Sequence, residues 1–594
     1  MAEIALASCG MLSVECEYED RNLVKDIGGR WDGVYKVWNV AFTIANLEYL
    51  LDNLSNIHVT EGVENKVEHQ VEKERKLAHI RKLSKSDAPV RLRVPGLHLK
   101  MEDGTKKSIS PYNYQKLGIM FALTNEEGVL IADEMGLGKT LQALSTALML
   151  KSQGKAKNAL IITPASLKYN WPMEIEKFTD EKYVVIDGKK PDDRVNQWMR
   201  DDVFFYVVNY ELLLADLFGG VDLKIKEDET PEQKEKRMER TRVTKRRQRI
   251  LTSIRTRTWD FIACDEAHAL KNSRSKRTQN VKAMKANFRM ALTGTPMDGR
   301  LEELHSVMEW VMPGLLESKV RFLQKHATTD VWGKITGYRN IGEVTEKIAP
   351  YFIRRLKKDV LQDLPDKIYQ NRIVVLTDKE KRIYKQLAEA GHETTEDAEA
   401  MVCILRCKQF CDHPLLVGEE DLKSSKFEAL REVLDEVVIS NGNKLILFSQ
   451  FKEMVNILVT LLDDMGLKYL RIDGDTDKKV RAAMQAQFNT DDSVDIMIGT
   501  EAMSTGLNFT SANYVINYDD NWAPAIMAQR EDRAHRIGQK DVVTVINFIC
   551  KDTVEERIRG VLYTKNIVSN EALGDDVSDS VLRRITPKEQ AKLL

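Results

Sequence analysis

The stretch from Asp133 to Thr140, DEMGLGKT, constrains this chain more than any other part of the sequence. It follows a short apolar run at 129–132 and precedes a leucine-rich helical pattern, so it predicts a loop between a strand and a helix. Glycine permits the tight backbone path that turns successive amides toward one point, and the helix N-terminus adds partial positive charge there. The stretch therefore predicts a phosphate-binding loop.

Two side chains at the end of this loop have the chemistry that a bound nucleotide needs. Lys139 can reach the β- and γ-phosphates, and the Thr140 hydroxyl is placed to bind Mg²⁺. Asp133 replaces the first glycine of the general pattern, but the remaining Gly-Leu-Gly-Lys-Thr keeps the chemistry. A purely structural turn is the alternative, and the strand-to-helix setting disfavours it.

Length and composition narrow the class of protein. A chain of 594 residues is too long for one hydrophobic core and predicts several domains. Charged residues make up 30% of the sequence, yet the formal net charge is −2, so a nucleic-acid surface needs local segregation of charge. No apolar run approaches the roughly 20 residues of a membrane helix, and the N-terminus lacks a secretory signal. We expect a soluble intracellular protein that does not contact membranes.

The seven cysteines do not suggest a disulfide framework in so long a chain, which agrees with a reducing compartment. Cys403, Cys407 and Cys411 recur at helical spacing and His413 follows them. Structural zinc sites usually have paired Cys-x-x-Cys spacings, so this stripe favours a buried core over a metal site.

The N-terminal stretch Leu12–Leu54 alternates and then changes period, which predicts a small strand-helix-strand-helix module with a strand at 34–40. Four of its residues place aromatic rings beside cations, a combination that stacks bases and holds phosphates: Arg30, Trp31, Lys36 and Trp38. Tryptophans are equally at home in the core of a small domain, so both interpretations stay open. The Lys/Glu-rich stretch that follows predicts an exposed helix or linker.

From Tyr112 to Glu211, short buried runs alternate with helical patterns, which predicts a parallel sheet covered by helices. A further buried run, 259–264, ends in Asp265 and Glu266. Carboxylates at the C-terminal end of such a strand lie where α/β sheets bind ligands. Asp265 can hold Mg²⁺, and Glu266 can polarise the water that attacks the γ-phosphate.

A second alternating set begins at Lys444 and predicts a second parallel sheet. It has no phosphate loop of its own. It carries Arg533 and Arg536, three residues apart, so both can project from one side of a helical turn. An arginine delivered across a cleft would complete the first lobe's site in the transition state.

Within the first set, between Glu211 and the buried run 259–264, a charge run from Lys224 to Arg249 has no usable apolar face. A solvated helix is the default interpretation of such a run. A DNA contact or a nuclear-import signal is the less favoured one.

Taken in order, these motifs resemble the Swi/Snf-type branch of superfamily-two helicases from about Tyr112 to Ile558. The colinear matches are Gln115, Asp133–Thr140, Thr163-Pro164 with Trp171, Asp265–His268, Leu292–Pro296, Phe352–Lys357, Phe448–Gln450, Asp473-Gly474 with Arg481, Thr500 with Gly506–Asn508, and Gln529–Gln539. Gly299, Ala523 and Met503–Thr505 depart from the family pattern, which affects the expected DNA contacts rather than hydrolysis.

The resemblance implies an α/β fold with two RecA-like parallel-sheet lobes, a helical insertion and a small N-terminal α+β module. It implies a DNA-dependent ATPase that uses ATP and Mg²⁺. Its implied catalytic residues are Lys139, Asp265, Glu266, Arg533 and Arg536, with Thr140 and Asp265 as metal ligands. Its implied nucleotide contacts are Gln115, Asp133, Glu134, Met135, Gly136, Leu137, Gly138, Lys139, Thr140, Gly506 and Gln529.

The N-terminal module, with Trp31 and Lys36–Trp38, is similar to the HARP-type domain of annealing helicases. The predicted divisions are a HARP-like module at 1–60, a charged linker at 61–100, lobe 1 at 101–301, an insertion at 302–423 and lobe 2 with the C-terminal tail at 424–594. We expect a monomeric translocase on double-stranded DNA that remodels or anneals forks in DNA repair or replication. Candidate protein partners are single-strand-binding and replication proteins. Displacement of proteins from DNA and a non-catalytic DNA-binding scaffold are the alternatives.

Overall fold

The computed structural model of the chain divides into two compact units, Met1–Lys82 and Leu83–Leu594. The residues that it describes are 2–7, 11–40, 42, 44–84, 89–101, 103–165, 167–188, 190–218, 248–297, 300–332, 335–361, 364–365, 367–392, 397–504, 507–521, 523–536 and 538–560. None of the helices in these ranges is both long enough and apolar enough to span a membrane. Most of the charge run at 224–249, and Gly506, lie outside the described residues.

The first unit combines five strands with three helices. They are β1 (Ala2–Leu6), β2 (Leu12–Glu15), α1 (Arg21–Asp26), β3 (Arg30–Asp32), β4 (Val37–Val40), α2 (Ile44–Asn53), β5 (Ile57–Val59) and α3 (Glu61–Leu83). The strands form one sheet in the order β3-β4-β2-β1-β5, in which β1 and β5 are parallel and the other pairs antiparallel. The stretch predicted as a charged linker thus begins with a 23-residue helix.

The two tryptophans of this unit differ in environment. Trp38 is half-buried and packs against the apolar core, whereas the Trp31 side chain is 54% exposed. Their rings are 5.4 Å apart between centroids. The core interpretation therefore describes Trp38, while Trp31 stays available to a partner.

The second unit begins with a hairpin and then forms lobe 1. Its elements are β6 (His98–Lys100), β7 (Lys106–Ser108), α4 (Asn113–Asn125), β8 (Gly128–Ile131), α5 (Lys139–Ser152), β9 (Ala159–Thr163), α6 (Asn170–Phe178), β10 (Tyr183–Val185), α7 (Pro191–Trp198), β11 (Phe205–Asn209), α8 (Tyr210–Phe218), α9 (248–256), β12 (Thr258–Asp265), α10 (Lys276–Lys282), β13 (Lys285–Leu292), α11 (Leu301–Val311), α12 (Lys319–His326), β14 (Ala327–Thr329), β15 (Ile335–Tyr338), α13 (Ile341–Ile348) and β16 (Phe352–Ile353). Seven strands form a parallel sheet in the order β10-β11-β9-β12-β13-β8-β16.

Lobe 2 is a second parallel sheet with helices around it. Its elements, with the helix that leads into it, are α14 (Lys357–Val360), β17 (Lys367–Val374), α15 (Asp378–His392), α16 (Asp397–Asp412), α17 (Ser425–Leu434), β18 (Leu445–Phe448), α18 (Lys452–Asp464), β19 (Tyr469–Ile472), α19 (Lys478–Thr490), β20 (Ile496–Gly499), β21 (Tyr514–Asn517), α20 (Pro524–Glu531) and β22 (Val543–Cys550). The six strands are in the order β17-β22-β21-β18-β20-β19. The predicted pair of parallel sheets is confirmed.

The segment predicted as a helical insertion, 302–423, contributes strands to both sheets, because β16 pairs with β8 of lobe 1 and β17 with β22 of lobe 2. Within it, Cys407 and Cys411 are buried in the core of lobe 2 and Cys403 packs against that core. The domain bounds themselves remain a prediction.

Candidate nucleotide-binding site

The loop between β8 and α5 has the backbone that a phosphate-binding loop needs. Gly136 and Gly138 have φ values of 88° and 73°, a left-handed region that a residue with a Cβ adopts only at a cost. At Gly138 there is no room either, because a Cβ there would lie 2.4 Å from Gln115 Nε2. Both glycines are therefore required by the shape of the loop.

Lys139, the first residue of α5, folds back into this loop. Its Nζ donates hydrogen bonds to the carbonyl oxygens of Asp133 at 2.8 Å and Glu134 at 3.4 Å. Burial lowers the pKa of Lys139, and the carboxylates of Glu266, Asp133 and Asp265 oppose that shift. The ammonium group therefore lies inside the loop, held by carbonyls and facing the acidic residues of the neighbouring strand.

The carboxylate of Asp133 pairs with Arg355, which follows β16, and neither side chain is exposed. Arg355 Nε donates to Asp133 Oδ1 at 2.8 Å, and one terminal nitrogen bonds Oδ2. Gln142 Nε2 also donates to Oδ2, at 2.9 Å. Asp133, which replaces the expected glycine, thus anchors the loop through its carboxylate. It contacts Lys139 only through its backbone carbonyl.

Gln115, on α4, lies directly beside the loop. Its Nε2 donates to the carbonyl of Leu137 at 3.1 Å, and its Oε1 accepts from the backbone N–H of Tyr112 at 3.0 Å. Tyr114 Oη also donates to the Leu137 carbonyl, at 3.2 Å. The Gln115 amide, expected to contact the nucleotide, is therefore engaged in supporting the loop.

Asp265 ends β12, beside β13 and β8, so its carboxylate points to the same sheet edge as the loop. Trp171 Nε1 donates to Asp265 Oδ2 at 2.9 Å, and the Thr163 hydroxyl lies 3.4 Å from the same oxygen. Burial, followed by the charge of Glu266, raises the pKa of Asp265 to about 6. Trp171 thus orients one oxygen of the Asp265 carboxylate. Asp265 itself lies at the strand end where α/β proteins bind ligands.

Glu266 follows at a left-handed turn with a φ of 46°. Its Oε2 lies 3.1 Å from His268 Nδ1. Burial alone would raise the pKa of Glu266, but the bond with His268 and the charges of Lys139 and Arg533 hold it below the usual value. Glu266 is therefore a carboxylate at neutral pH and can accept a proton or orient water.

Lobe 2 presents two arginines to this site. Arg533 donates to the carbonyls of Gln529 at 3.1 Å and Leu507 at 2.8 Å. Burial, with the charge of Arg536, lowers the pKa of Arg533 to about 10. Its guanidinium nevertheless remains charged at neutral pH.

Arg536 lies directly against the phosphate loop. A Cβ added at Gly136 would lie 3.0 Å from Arg536 Cγ, and Arg536 itself donates to Asn508 Oδ1 at 2.7 Å. The structure thus brings Arg536 of lobe 2 to the phosphate loop of lobe 1, and Arg533 within electrostatic reach of Glu266.

Sequence reasoning missed two contacts at this site. The stretch Phe352–Lys357 is a family signature, but nothing in its local pattern identifies Arg355 as the partner of Asp133. The bond from Trp171 to Asp265 also joins residues that are 94 positions apart. The aspartate in place of the first loop glycine was the available signal, because a buried carboxylate needs a cationic partner, but the sequence did not identify that partner.

Comparisons with known proteins place the chain in a family. Residues 67–416 match the SNF2-related domain, and residues 425–538 match the helicase conserved C-terminal domain. An uncharacterized ATP-dependent helicase of Mycoplasma pneumoniae is 30% identical over 485 residues, covering 80% of this chain and 43% of that protein.

Two further relatives cover similar shares. The putative ATP-dependent helicase/translocase YwqA of Bacillus subtilis is 30% identical, covering 80% of this chain and 50% of its own length. The ISWI chromatin-remodeling complex ATPase CHR11 of Arabidopsis thaliana is 29% identical, covering 76% of this chain and 42% of its own length. The chain therefore spans half or less of these curated relatives. Because the SNF2-related domain matches more than half of the chain, this protein belongs to the Swi/Snf-type branch of superfamily-two helicases.

Proposed function

We propose that this chain is a DNA-dependent ATPase that translocates on double-stranded DNA and remodels or rewinds forked DNA. The observation that carries the ATPase proposal is the approach of Arg536 from lobe 2 to Gly136 of the phosphate loop, where a Cβ would meet its side chain at 3.0 Å. Two lobes that meet across a phosphate loop can couple hydrolysis to a change in their separation.

The residues fit ATP and Mg²⁺. The loop glycines have the left-handed backbone that a phosphate-binding loop needs, and the Lys139 ammonium is already held inside the loop. Thr140 and Asp265 supply the hydroxyl and carboxylate oxygens that Mg²⁺ prefers. This donor set has the chemistry of a nucleotide–magnesium site.

Each residue then has one role in phosphoryl transfer. Bound Mg²⁺-ATP supplies the phosphoryl group together with a cation that neutralises part of its charge. Lys139 binds the β- and γ-phosphates, and Glu266 orients the attacking water. Arg533 and Arg536 stabilise the charge that develops in the transition state. Gln529 and the remaining loop residues position these groups.

We propose two replacements to test this site. Lys139→Ala and Glu266→Gln should each abolish ATP turnover. They should differ in binding, because Glu266→Gln keeps the lysine that holds the phosphates while Lys139→Ala loses it. Turnover by steady-state phosphate release and binding of a fluorescent ATP analogue give the two readouts. Near-parental hydrolysis in either variant would overturn the assignment.

DNA is the proposed track because the chain belongs to a helicase family and its relatives are named ATP-dependent helicases or translocases. Contacts from threonine, lysine and arginine to the phosphate backbone would make binding independent of sequence and sensitive to salt. ATPase rates without DNA and with single-stranded, duplex or forked DNA test this directly. If none of the three kinds of DNA stimulates the ATPase, the translocase proposal is contradicted.

The N-terminal unit is the proposed reader of forked DNA. Trp31, Tyr35 and Lys36 are exposed around the turn between β3 and β4, and Arg30 is exposed at the start of β3. Exposed aromatic rings with neighbouring cations suit unpaired bases and their phosphates.

A charge-reversal pair tests this reader. Arg30→Glu with Lys36→Glu should reduce the preference for forks over duplex and leave duplex-stimulated ATPase intact, because the catalytic residues lie in the other unit. A matched control is Arg75→Glu with Lys82→Glu, two exposed residues of α3 with the same change in charge. If both double variants prefer forks like the parent, the unit does not read forks.

Displacement of proteins from duplex DNA is the second candidate. The similarity to an ISWI chromatin-remodeling ATPase favours it. The same motor would then act on a protein-bound duplex. A chain that clears a bound protein from duplex DNA with ATP, while showing no fork preference, would favour this candidate over fork rewinding.

A further inference from the structure

A short strand between the lobes runs directly beside the phosphate loop. We call the residues Phe352–Lys357 the junction strand; they comprise β16, three residues without regular secondary structure and the first residue of α14. Its first two residues pair with β8, and the pairing then continues along the loop. The backbone N–H of Ala132 donates to the Ile353 carbonyl at 2.8 Å, and that of Glu134 donates to the Arg355 carbonyl at 2.9 Å. The loop and the junction strand are therefore held at a fixed distance by backbone bonds.

The last residue of the junction strand, Lys357, contacts lobe 2 with its side chain. Its Nζ donates to Asp532 Oδ1 at 2.7 Å and to the His535 carbonyl at 2.6 Å. Its backbone N–H donates to Glu134 Oε2 at 2.7 Å. Lys357 therefore binds Glu134 of the phosphate loop with its main chain. Its side chain binds the segment 532–535 of lobe 2 and lies 3.8 Å from Glu134 Oε1.

The segment that Lys357 holds carries both arginines of the site. Asp532 immediately precedes Arg533, and His535 immediately precedes Arg536. One ammonium group therefore binds the side chain of the residue before Arg533 and the backbone carbonyl of the residue before Arg536. The Lys357 side chain is 3% exposed and that of Asp532 2%, so water competes little for this contact.

A buried ion pair of this kind is weak evidence for stability, because desolvation of the charges offsets much of their attraction. The Lys357–Asp532 pair is better explained by the geometry that it fixes than by the stability that it adds. Misplacing a catalytic group by about 1 Å can cost about 10²-fold in rate. A rigid contact between the loop and the arginine segment therefore has a direct kinetic value.

We propose that Lys357 is a positioning residue that fixes Arg533 and Arg536 over the phosphate loop. It acts through Asp532 and His535, the residues that its ammonium group binds. The inference rests on the proposed ATPase function. It goes beyond that function by naming the contact that joins the two halves of the site.

The chain offers a matched control for this contact. Lys367 Nζ donates to the same oxygen, Asp532 Oδ1, at 2.9 Å, and lies 3.2 Å from Glu531 Oε2. However, Lys367 begins β17, which is part of the lobe 2 sheet. Lys367→Met therefore removes an equal charge from the same carboxylate without releasing the phosphate loop from lobe 2.

The experiment compares Lys357→Met with Lys367→Met in the full chain, with saturating duplex DNA. We expect Lys357→Met to lower kcat about 10²-fold with KM for ATP and binding of an ATP analogue within about threefold of the parent. Lys367→Met should lower kcat by less than about tenfold. Lys357→Arg, which keeps the charge, should recover more than half of the lost activity on a logarithmic scale.

A double variant separates positioning from a general loss of structure. If Lys357 acts through the arginines, Lys357→Met should add less than about threefold to the loss in Arg536→Ala, because residues acting as a unit are not additive. Fully multiplicative losses would overturn the proposal, as would equal effects of the two lysine variants. If Lys357→Met does not fold, Lys357→Gln, which removes the charge but keeps a polar side chain, carries the test with the same thresholds.

The outcomes also separate this inference from the proposed function. A parent chain that hydrolyses no ATP under any DNA condition would refute the ATPase proposal. An active parent together with a Lys357→Met variant whose kcat is within threefold of it would refute only the positioning role.

Discussion

Replacing Arg355 with methionine tests how the phosphate loop is anchored. Arg355 and Asp133 are both fully buried, and the arginine donates from Nε at 2.8 Å and from a terminal nitrogen. Methionine fills most of the same volume but leaves the Asp133 carboxylate with Gln142 as its remaining side-chain donor. Removing one partner of a buried ion pair costs about 3–5 kcal/mol, because the other charge stays buried without compensation.

The size of this loss can be measured by calorimetry. At about 2–4 °C per kcal/mol for a lobe of this size, the Tm of lobe 1 should fall by roughly 6–20 °C. Turnover should fall as well, because the Asp133 carbonyl holds Lys139 Nζ at 2.8 Å. The double variant Asp133→Asn with Arg355→Met removes both charges and should recover more than half of the lost Tm. A single variant that melts within 2 °C of the parent, or a double variant that melts no higher than the single one, would refute this reasoning.

Two further substitutions test contacts at the site. Gly118→Ala, on α4, should lower the Tm of lobe 1, because the added Cβ would lie 2.1 Å from Gln142 Oε1. An unchanged melting curve would show that α4 can shift at no cost. Trp171→Phe should raise the Mg²⁺ concentration for half-maximal ATPase by about 10–100-fold, since it removes the donor that orients Asp265; a titration that overlays the parent's would contradict that role.

The sequence predicted the parts of this fold that depend on local pattern. Buried runs such as 129–132 and 259–264 became inner strands of the lobe 1 sheet, because a strand covered by helices on both faces must be apolar along its length. The glycine loop was also a local prediction, since a left-handed backbone is set by a few neighbouring residues. The helix after it, predicted from the leucine-rich pattern at 141–150, begins two residues earlier, at Lys139.

One local prediction was wrong in detail. The strand predicted at 34–40 starts at Val37, and a turn separates it from β3. Asp32 Oδ1 accepts the backbone N–H groups of Val34 at 3.0 Å and Tyr35 at 3.2 Å, and Lys36 has a φ of 55°. The Asp-Gly pair at 32–33 was the available signal, because this pair favours a hairpin turn.

Contacts between distant residues could not be predicted in this way. Arg355 and Asp133 are 222 positions apart, and Lys357 and Asp532 are 175 apart. Periodicity reports which face of an element is buried, but not which side chain meets it across a lobe. The strand β17 was hidden for a related reason. Most of its residues are exposed at the edge of the sheet, so its sequence lacks the apolar run of the inner strands.

The aspartate in place of the first loop glycine and the arginine of the junction strand form one structural feature. A glycine at position 133 would restore the general phosphate-loop pattern, but it would leave the Arg355 charge buried with only neutral acceptors, the Tyr114 carbonyl and Gln142 Oε1. An uncompensated buried charge costs more than a loop glycine gains. The departure from the pattern is therefore favourable in this fold, and it fixes the loop to the same strand that carries Lys357 to lobe 2.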